Sequence, residues 1–190
     1  RKMDLPLLAL VLVSACGGRV WTAPDYCSTE CPQYTVVEKH KDFEERLYAS
    51  AQWITTKMAG TVISDLMAAS SRLAKVASMS GRTGADWPVL ISLTNDSECW
   101  YSWFVPRDMT ESQITDPSVK LWRRPEVSVY VRVFDGTPSI KSGRDNAKIL
   151  YDDLKKAERS VADANAYTWA GYNTYLSLTH HNEIWMEKSQ

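Results

Sequence analysis

Two adjacent histidines are the first residues of the sequence whose type and spacing could do chemistry, because neutral imidazole is a common metal ligand. His180 and His181 follow one another, and the third histidine, His40, lies in a charged turn. On a strand, neighbouring side chains point to opposite faces, so at most one member of the pair could reach a given site. His180 and His181 are therefore our metal-ligand candidates, and an exposed turn is the competing interpretation.

The common short motifs of catalysis and phosphate binding are missing from the sequence. It has no G-x-S-x-G elbow, no Walker loop, no G-x-G-x-x-G and no H-E-x-x-H. A hydrolase would need a paired acid and base that face one cavity, and no such constellation can be recognised. We therefore expect no catalytic residues, and a small-molecule hydrolase is the alternative.

Three cysteines follow the N-terminal segment: Cys27, Cys31 and Cys99. In an oxidising compartment thiols tend to pair, and three is an odd number, so we expect one disulfide and one remaining thiol. A short Cys27–Cys31 loop competes with a bond from either residue to Cys99. We favour the bond to Cys99, because the larger loop removes more entropy from the unfolded chain. A zinc site is disfavoured, since no second ligand pair follows.

The first 23 residues are expected to be a secretory signal peptide. Arg1 and Lys2 precede an apolar run over residues 5–13, and small residues follow. This run is shorter than the roughly 20 residues that a membrane-spanning helix requires, so we expect no transmembrane segment. Cleavage between residues 15 and 23 would release an extracellular protein. A lipid on Cys16, as in bacterial lipoproteins, is the alternative.

Composition limits the class of partner. The 190 residues, 44% of them hydrophobic, are enough for one globular domain. A formal charge of −1 leaves no basic excess to neutralise phosphates, so we expect no nucleic acid partner. Eight tryptophans and nine tyrosines supply aromatic area suited to a barrel core or to stacking on a planar ligand.

The first half of the chain reads as strands, one helix and two further strands. Residues 34–58 are expected to form a hairpin, and helical spacing of apolar residues predicts an amphipathic helix over residues 60–81. Two strands follow over residues 89–94 and 98–105. Asn95, in the turn between them, fits an N-glycosylation site.

The second half repeats this order. After a polar loop over residues 106–117, residues 127–134 alternate valine with other types and form the clearest strand of the chain. A second helix includes residues 147–161, and two strands are expected around residues 168–178 and 183–187. Such a duplication predicts an α+β fold with a closed or nearly closed antiparallel sheet, helices packed outside it, and the valines and several tryptophans in the core.

Several segments together carry a family resemblance. They begin at Tyr34 (Y-T-V-V-E), Phe43 (F-E-E-R-L-Y), Pro125 (P-E-V-S-V-Y-V-R-V-F-D-G), Ala170 (A-G-Y-N) and Asn182 (N-E-I-W). In these segments the chain resembles the SOUL, or haem-binding protein, family. The matching stretch covers nearly all of the chain that follows the expected signal peptide.

The resemblance implies both fold and function. It implies a distorted antiparallel β-barrel built from two pseudo-symmetric halves, each with one helix packed outside, over residues 34–188. A cysteine-containing segment, residues 24–33, would join this domain to the signal peptide. Members of the family bind haem or other tetrapyrroles non-covalently in an apolar surface groove near the first helix, and they are regarded as binders. We therefore expect a secreted, monomeric tetrapyrrole carrier.

Two departures from the family pattern lie near this groove. Leu47 stands where one branch of the family has a histidine proposed to bind iron, and the family's K-I-x-M-T-x-P-V segment keeps only its proline and valine here. An extracellular protein-interaction module that has lost the tetrapyrrole is therefore the alternative function. For a bound haem we expect apolar contacts and two cations near the propionates. These residues are, in turn, Val62, Leu66, Met67 and Met79, and Arg72 and Lys75.

Overall fold

A computed structural model describes residues 21–82, 85–94, 98–174 and 177–190. Most of the expected signal peptide, with Cys16, and the glycosylation candidate Asn95 lie outside these residues. Within them, no helix is both long enough and apolar enough to cross a membrane.

The described residues form nine strands and two α-helices. Strands, a helix and two strands occur twice in succession, as the periodicity predicts. The elements are β1 Tyr34–Lys39, β2 Glu44–Tyr48, β3 Ala51–Met58, α1 Ile63–Met79, β4 Asp86–Thr94, β5 Glu98–Val105, β6 Val119–Arg124, β7 Val127–Phe134, α2 Ile140–Lys156, β8 Tyr167–Gly171 and β9 Asn182–Glu187.

Four element boundaries differ from the sequence prediction. The second helix spans Ile140–Lys156, so it begins before the predicted residue 147 and ends before Val161, which forms a bridge with Lys188 instead. The stretch over residues 43–58 is two strands, because β2 pairs with β7 whereas β3 pairs with β5 and β6. Strand β6 was not predicted. It is an edge strand that exposes Lys120, Trp122 and Arg123, so it lacks a clear apolar alternation. Strand β8 ends at Gly171, and the chain then turns back, with the Tyr172 amide donating to the carbonyl of His181.

All pairs in the sheet are antiparallel, in the order β1-β2-β7-β9-β8-β4-β5-β3-β6. The unit β3-α1-β4-β5 and the unit β7-α2-β8-β9 meet at the centre, where β4 pairs with β8. Each unit also receives a strand from the other half of the chain, since β2 pairs with β7 and β6 with β3. The result is a curled half-barrel with β1 and β6 at its edges, which confirms the α+β class and the two related halves.

Both helices pack on one face of the sheet, which we call the helix face. Helix α1 buries Leu73 and Val76 against β3 and β5, and α2 buries Leu150 and Leu154 against β7 and β9. This i, i+3 and i, i+4 spacing places the apolar side chains on one side of each helix.

The other side of the sheet, which we call the far face, has its own apolar cluster. Because side chains alternate along a strand, residues next to those of the helix face point the other way. Only two of the four alternating valines are buried there, since Val127 is half-buried and Val133 is exposed near the end of β7. The buried members are Tyr48, Trp53, Leu90, Phe104, Val129, Val131, Ala170, Tyr172 and Trp185.

Candidate functional site

A cavity of about 430 Å³ lies on the helix face, between the first turns of α1 and α2. Its floor is formed by the central strands β4, β5 and β8, where Ile91 is directly opposite Trp169 in the sheet. Leu66 of α1 and Gly143 of α2 contribute to the two sides. The cavity therefore sits where the two related halves of the molecule meet.

Two glycines explain why this space is open. A Cβ atom at Gly143 would meet no atom within 4 Å, although the residue is buried and lines the cavity. A Cβ atom at Gly171 would lie 2.6 Å from the ring of Trp169, so only glycine lets this indole lie against β8. Gly143 thus leaves room beside α2, and Gly171 positions an aromatic wall.

The polar groups along the lining are few and uncharged. Of the described residues that line the cavity, none is Asp, Glu, Lys, Arg or His. The indole nitrogen of Trp169 is buried and has no hydrogen-bond partner. On the floor, the Cys99 thiol lies 3.7 Å from the sulfur of Met58, and burial raises the pKa of Cys99 to about 11, so the thiol is neutral near pH 7. An apolar ligand would complement this surface.

The structure brings two of the six sequence-predicted contacts to this cavity. Val62 and Leu66 line it. Met67 and Met79 are exposed and lie outside the lining, as does the exposed Lys75. The roles expected for these three residues toward a ligand stay predictions.

Arg72 lies outside the lining as well. Its Nε donates to the hydroxyl of Thr56 at 3.0 Å, and its Nη2 donates to the carbonyl of Lys57 at 2.8 Å. These bonds tie α1 to β3. A role of Arg72 toward propionates stays a prediction.

Sequence reasoning missed most of the floor. Alternation in β4 and β5 indicates that Ile91 and Tyr101 share a face with their i+2 neighbours, but not which strands are adjacent in the sheet. The pairing of β4 with β8, about 80 residues further along the chain, brings Tyr167 and Trp169 to the same floor. No local signal predicts that pairing.

The disulfide joins Cys27 to Cys31, with their Cα atoms 6.2 Å apart, so the favoured bond to Cys99 is wrong. Cys99 is a buried free thiol in the cluster on the helix face. Cys27 packs against the cluster on the far face. The sheet therefore lies between Cys27 and Cys99. The entropy of loop closure favours a bond between them, but the fold keeps them apart.

The histidine pair makes contacts within the protein, and its role as a metal ligand stays a prediction. His181 stacks on Tyr26 with ring centroids 3.7 Å apart, and its Nε2 lies 2.9 Å from Oε1 of Glu183. His180 is half-buried next to it. Among the described residues, no three His, Cys, Asp or Glu side chains are grouped so that they could hold a metal ion.

Glu183 is the centre of a buried polar cluster on the far face. Its carboxylate accepts from Arg46 Nη1 at 2.8 Å, from Trp185 Nε1 at 2.6 Å and from the Tyr172 hydroxyl at 3.2 Å. Burial by itself raises the pKa of Glu183, but the hydrogen bond from His181 and the charge of Arg46 outweigh it and lower the pKa to about 2. A carboxylate held ionised by so many donors is a structural anchor and a poor general base.

The N-terminal segment covers this cluster. Tyr26 and Tyr34 share a hydrogen bond of 2.7 Å between their hydroxyls, and the Tyr34 ring lies 4.4 Å from the guanidinium carbon of Arg46. Tyr26 also meets Tyr172 edge to face, with centroids 4.7 Å apart. The far face is therefore closed by the chain itself, and the cavity on the helix face is the candidate ligand site.

Solved structures with a similar fold have little sequence in common with this chain. An uncharacterised conserved protein from Listeria innocua is 10% identical with a TM-score of 0.59, over 78% of this chain and 93% of the other. A hydrolase from Listeria innocua is 12% identical with a TM-score of 0.56, over 80% and 94%. A protein bound to tetraphenylphosphonium is 13% identical with a TM-score of 0.50, over 78% and 94%. At these identities the likeness concerns the fold alone.

Sequence comparison gives two further results. No curated protein matches the chain. The family model described as SOUL heme-binding protein matches residues 29–187, which include every strand and helix of the described fold. This protein therefore belongs to the SOUL haem-binding family.

Proposed function

We propose that this protein binds haem or a related tetrapyrrole non-covalently in the cavity between α1 and α2. The observation that carries the proposal is the cavity itself, about 430 Å³ of open space with an apolar lining. Small-molecule sites usually measure roughly 300–1,000 Å³. Membership of a family that binds haem supports a tetrapyrrole as the class of ligand.

The lining suits a flat apolar ring system. Tyr101, Tyr167 and Trp169 offer aromatic surface to a planar ligand. Ile63 and Ile140 also contribute to the cavity and are exposed, so they extend its apolar surface to the rim.

Sulfur and phenol oxygen are the donors that this cavity offers to an iron. Cys99, Met58, Tyr101 and Tyr167 line the cavity, and thiolate, thioether and tyrosine oxygen all occur as haem ligands. No histidine is among the described lining residues. The macrocycle would therefore be held mainly by apolar contact, without an imidazole ligand to its iron.

Secretion and a carrier role complete the proposal. The Cys27–Cys31 disulfide supports residence in an oxidising compartment, because thiols stay reduced in the cytosol. A carrier needs no catalytic group, and the described lining holds neither a carboxylate nor an imidazole that could act as a base. We propose a secreted, monomeric carrier or scavenger.

Titration with haemin tests this function. We expect the purified protein to shift the Soret band of haemin and to lose tryptophan fluorescence as the complex forms. Gly143→Leu fills the cavity from α2, where a Cβ atom meets nothing, and should weaken binding by about tenfold or more. Lys148→Leu adds the same side chain at an exposed position of the same helix and should bind normally. No Soret shift with folded protein would overturn the proposal.

An interaction module is the second candidate, and one observation favours it. Val62, Ile63 and Met67 are apolar and exposed on or beside the first two turns of α1. A protein partner covering these residues would explain their exposure. Met67 lies outside the cavity lining, so Met67→Ser tests the exposed surface. Unchanged binding of haemin by this variant would favour the carrier. If wild type captures a stoichiometric partner from extracellular fluid and the variant does not, the interaction module is favoured.

A further inference from the structure

The N-terminal segment, residues 21–33, is held on the far face by side chains. Within it the Cys27 amide donates to the carbonyl of Pro24. Among the described residues, its one backbone hydrogen bond to the rest of the fold is at its end, where the Ala49 amide donates to the carbonyl of Gln33. Strand β1, which follows, is paired with β2. The segment can therefore leave the far face without breaking the hydrogen bonds of the sheet.

Tyr26 is the main anchor of this segment. Its ring stacks on the imidazole of His181, with centroids 3.7 Å and planes 7° apart, and meets the Tyr172 ring edge to face at 4.7 Å. Its hydroxyl shares a hydrogen bond of 2.7 Å with the hydroxyl of Tyr34. Burial raises the pKa of Tyr26, so this phenol stays protonated. We call the space that the ring fills, between His181, Tyr172 and Tyr34, the tyrosine slot.

The walls of the tyrosine slot are fixed by the folded domain. His181 Nε2 lies 2.9 Å from Oε1 of Glu183, and the Tyr172 hydroxyl donates to Oε2 of the same carboxylate at 3.2 Å. The His181 amide donates to Oδ1 of Asn173 at 2.7 Å. None of these bonds involves the N-terminal segment. The slot is therefore preorganised, and it would persist if Tyr26 left it.

The disulfide restricts the segment next to Tyr26. Cys27 packs on the cluster of the far face, and Cys31, to which it is bonded, is buried. A cross-link lowers the entropy of the released segment and so favours the docked one. For so small a loop, the entropy model corresponds to a change of about 30-fold in the equilibrium between docked and released segment. Reduction should therefore favour release of Tyr26.

We propose that the tyrosine slot is a second binding site, for a neutral ligand that carries a phenol ring, and that Tyr26 occupies it until the Cys27–Cys31 bond is reduced. This inference goes beyond the proposed function, because the slot and the cavity lie on opposite faces of the sheet. Reduction by a dithiol passes two electrons and two protons to the two cysteines, and the dithiol becomes a disulfide. In an oxidising compartment the bond persists and the slot stays filled.

The compound p-cresol tests the proposal, because it is the side chain of tyrosine as a free molecule. A tethered side chain competes at an effective concentration of the order of millimolar, so the oxidised protein should bind p-cresol weakly. We expect wild type reduced with dithiothreitol to bind it about tenfold more tightly. Proton NMR measures the affinity, and nuclear Overhauser effects between p-cresol and the rings of His181 and Tyr172 locate the site.

Three variants separate the contributions to this effect. The double variant Cys27→Ser, Cys31→Ser should bind p-cresol as reduced wild type does, with or without dithiothreitol. Tyr26→Gly removes the tethered competitor and should bind equally well in both redox states. Cys99→Ala removes the free thiol on the helix face and should keep the full redox effect. Circular dichroism establishes that each variant is folded.

Several results would overturn the proposal. These are reduced wild type that binds p-cresol no better than oxidised wild type, folded Tyr26→Gly that does not bind it, contacts of p-cresol away from His181 and Tyr172, and a redox effect that is lost in Cys99→Ala. Each of them leaves the carrier function standing, because haemin binding is measured at the cavity on the other face of the sheet.

Discussion

Arg46 and Glu183, 137 residues apart in sequence, are joined by a hydrogen-bonded ion pair of 2.8 Å inside the molecule. The pair connects β2 of the first half to β9 of the second, and the side chains of both residues are almost completely buried. Buried charges are tolerated only when they are paired and hydrogen-bonded. The Glu183 carboxylate therefore links a strand of the first half to a strand of the second half.

Replacement of Glu183 by glutamine should destabilise the protein by about 3 kcal/mol. The substitution keeps the shape of the side chain but leaves the Arg46 charge buried, and breaking such a pair costs about 3–5 kcal/mol. Arg46 keeps its bond to the partly exposed Glu44, so we expect a loss of stability at the lower end of that range. Urea unfolding measures it. Glu98→Gln, at an exposed pair with Lys57, is the control and should change little; an equal effect of both would contradict the assignment.

Stability should fall in acid through Glu183. Its pKa in the folded protein is lowered to about 2 from an ordinary value of 4.5. A carboxyl with a depressed folded pKa stabilises the fold above the unfolded value and loses that contribution as the pH falls through the folded value. The midpoint of urea unfolding should therefore decrease between about pH 4.5 and 2. This part of the decrease should be absent in Glu183→Gln; a parallel decrease in the variant would assign it to other carboxylates.

Reduction of the Cys27–Cys31 disulfide should have a modest effect on stability and none on the cavity. The bond closes a small loop, for which the entropy model gives about 2 kcal/mol. The loop packs on the far face, on the other side of the sheet from the cavity. A Cys27→Ser, Cys31→Ser double variant should thus show a lower thermal midpoint and normal haemin affinity. Weakened binding would mean that the two faces are coupled.

Replacing the two glycines of the site by alanine should have opposite effects on the stability of the protein. Gly171→Ala places a methyl group 2.6 Å from the Trp169 ring, so the indole must move, with loss of stability and a shifted emission spectrum. Gly143→Ala meets no atom and should stabilise α2 by about 0.5–1 kcal/mol. Thermal unfolding and fluorescence measure both variants. Equal behaviour of the two would contradict the packing of Trp169 against β8.

Several strands and both helices can be predicted from the spacing of apolar residues along the chain. The valines of β7 alternate over eight residues, and the structure places that strand on the predicted residues. Both helices follow from i, i+3 and i, i+4 spacing, because burial of one helix side is a property of the segment itself. Strand β6 was missed, since an edge strand with exposed charges carries no such pattern.

Only the part of the candidate site that the first helix contributes could be predicted from the sequence. Val62 and Leu66 belong to the helix that the family resemblance implies, and they line the cavity. Gly143 and Trp169 carry no local signal, because their relevance depends on where α2 and β8 lie in space.

The sequence by itself determined the repeated order of strands and helices, the family, and the supply of aromatic residues, since each of these depends on residue type and short-range spacing. Tertiary structure alone decided the cavity, because pairing of β4 with β8 joins segments about 80 residues apart. It also decided the disulfide, because the sheet lies between Cys99 and Cys27. Pairing between distant strands determines which side chains share a face of the sheet. The periodicity of residue types along the chain does not encode that pairing.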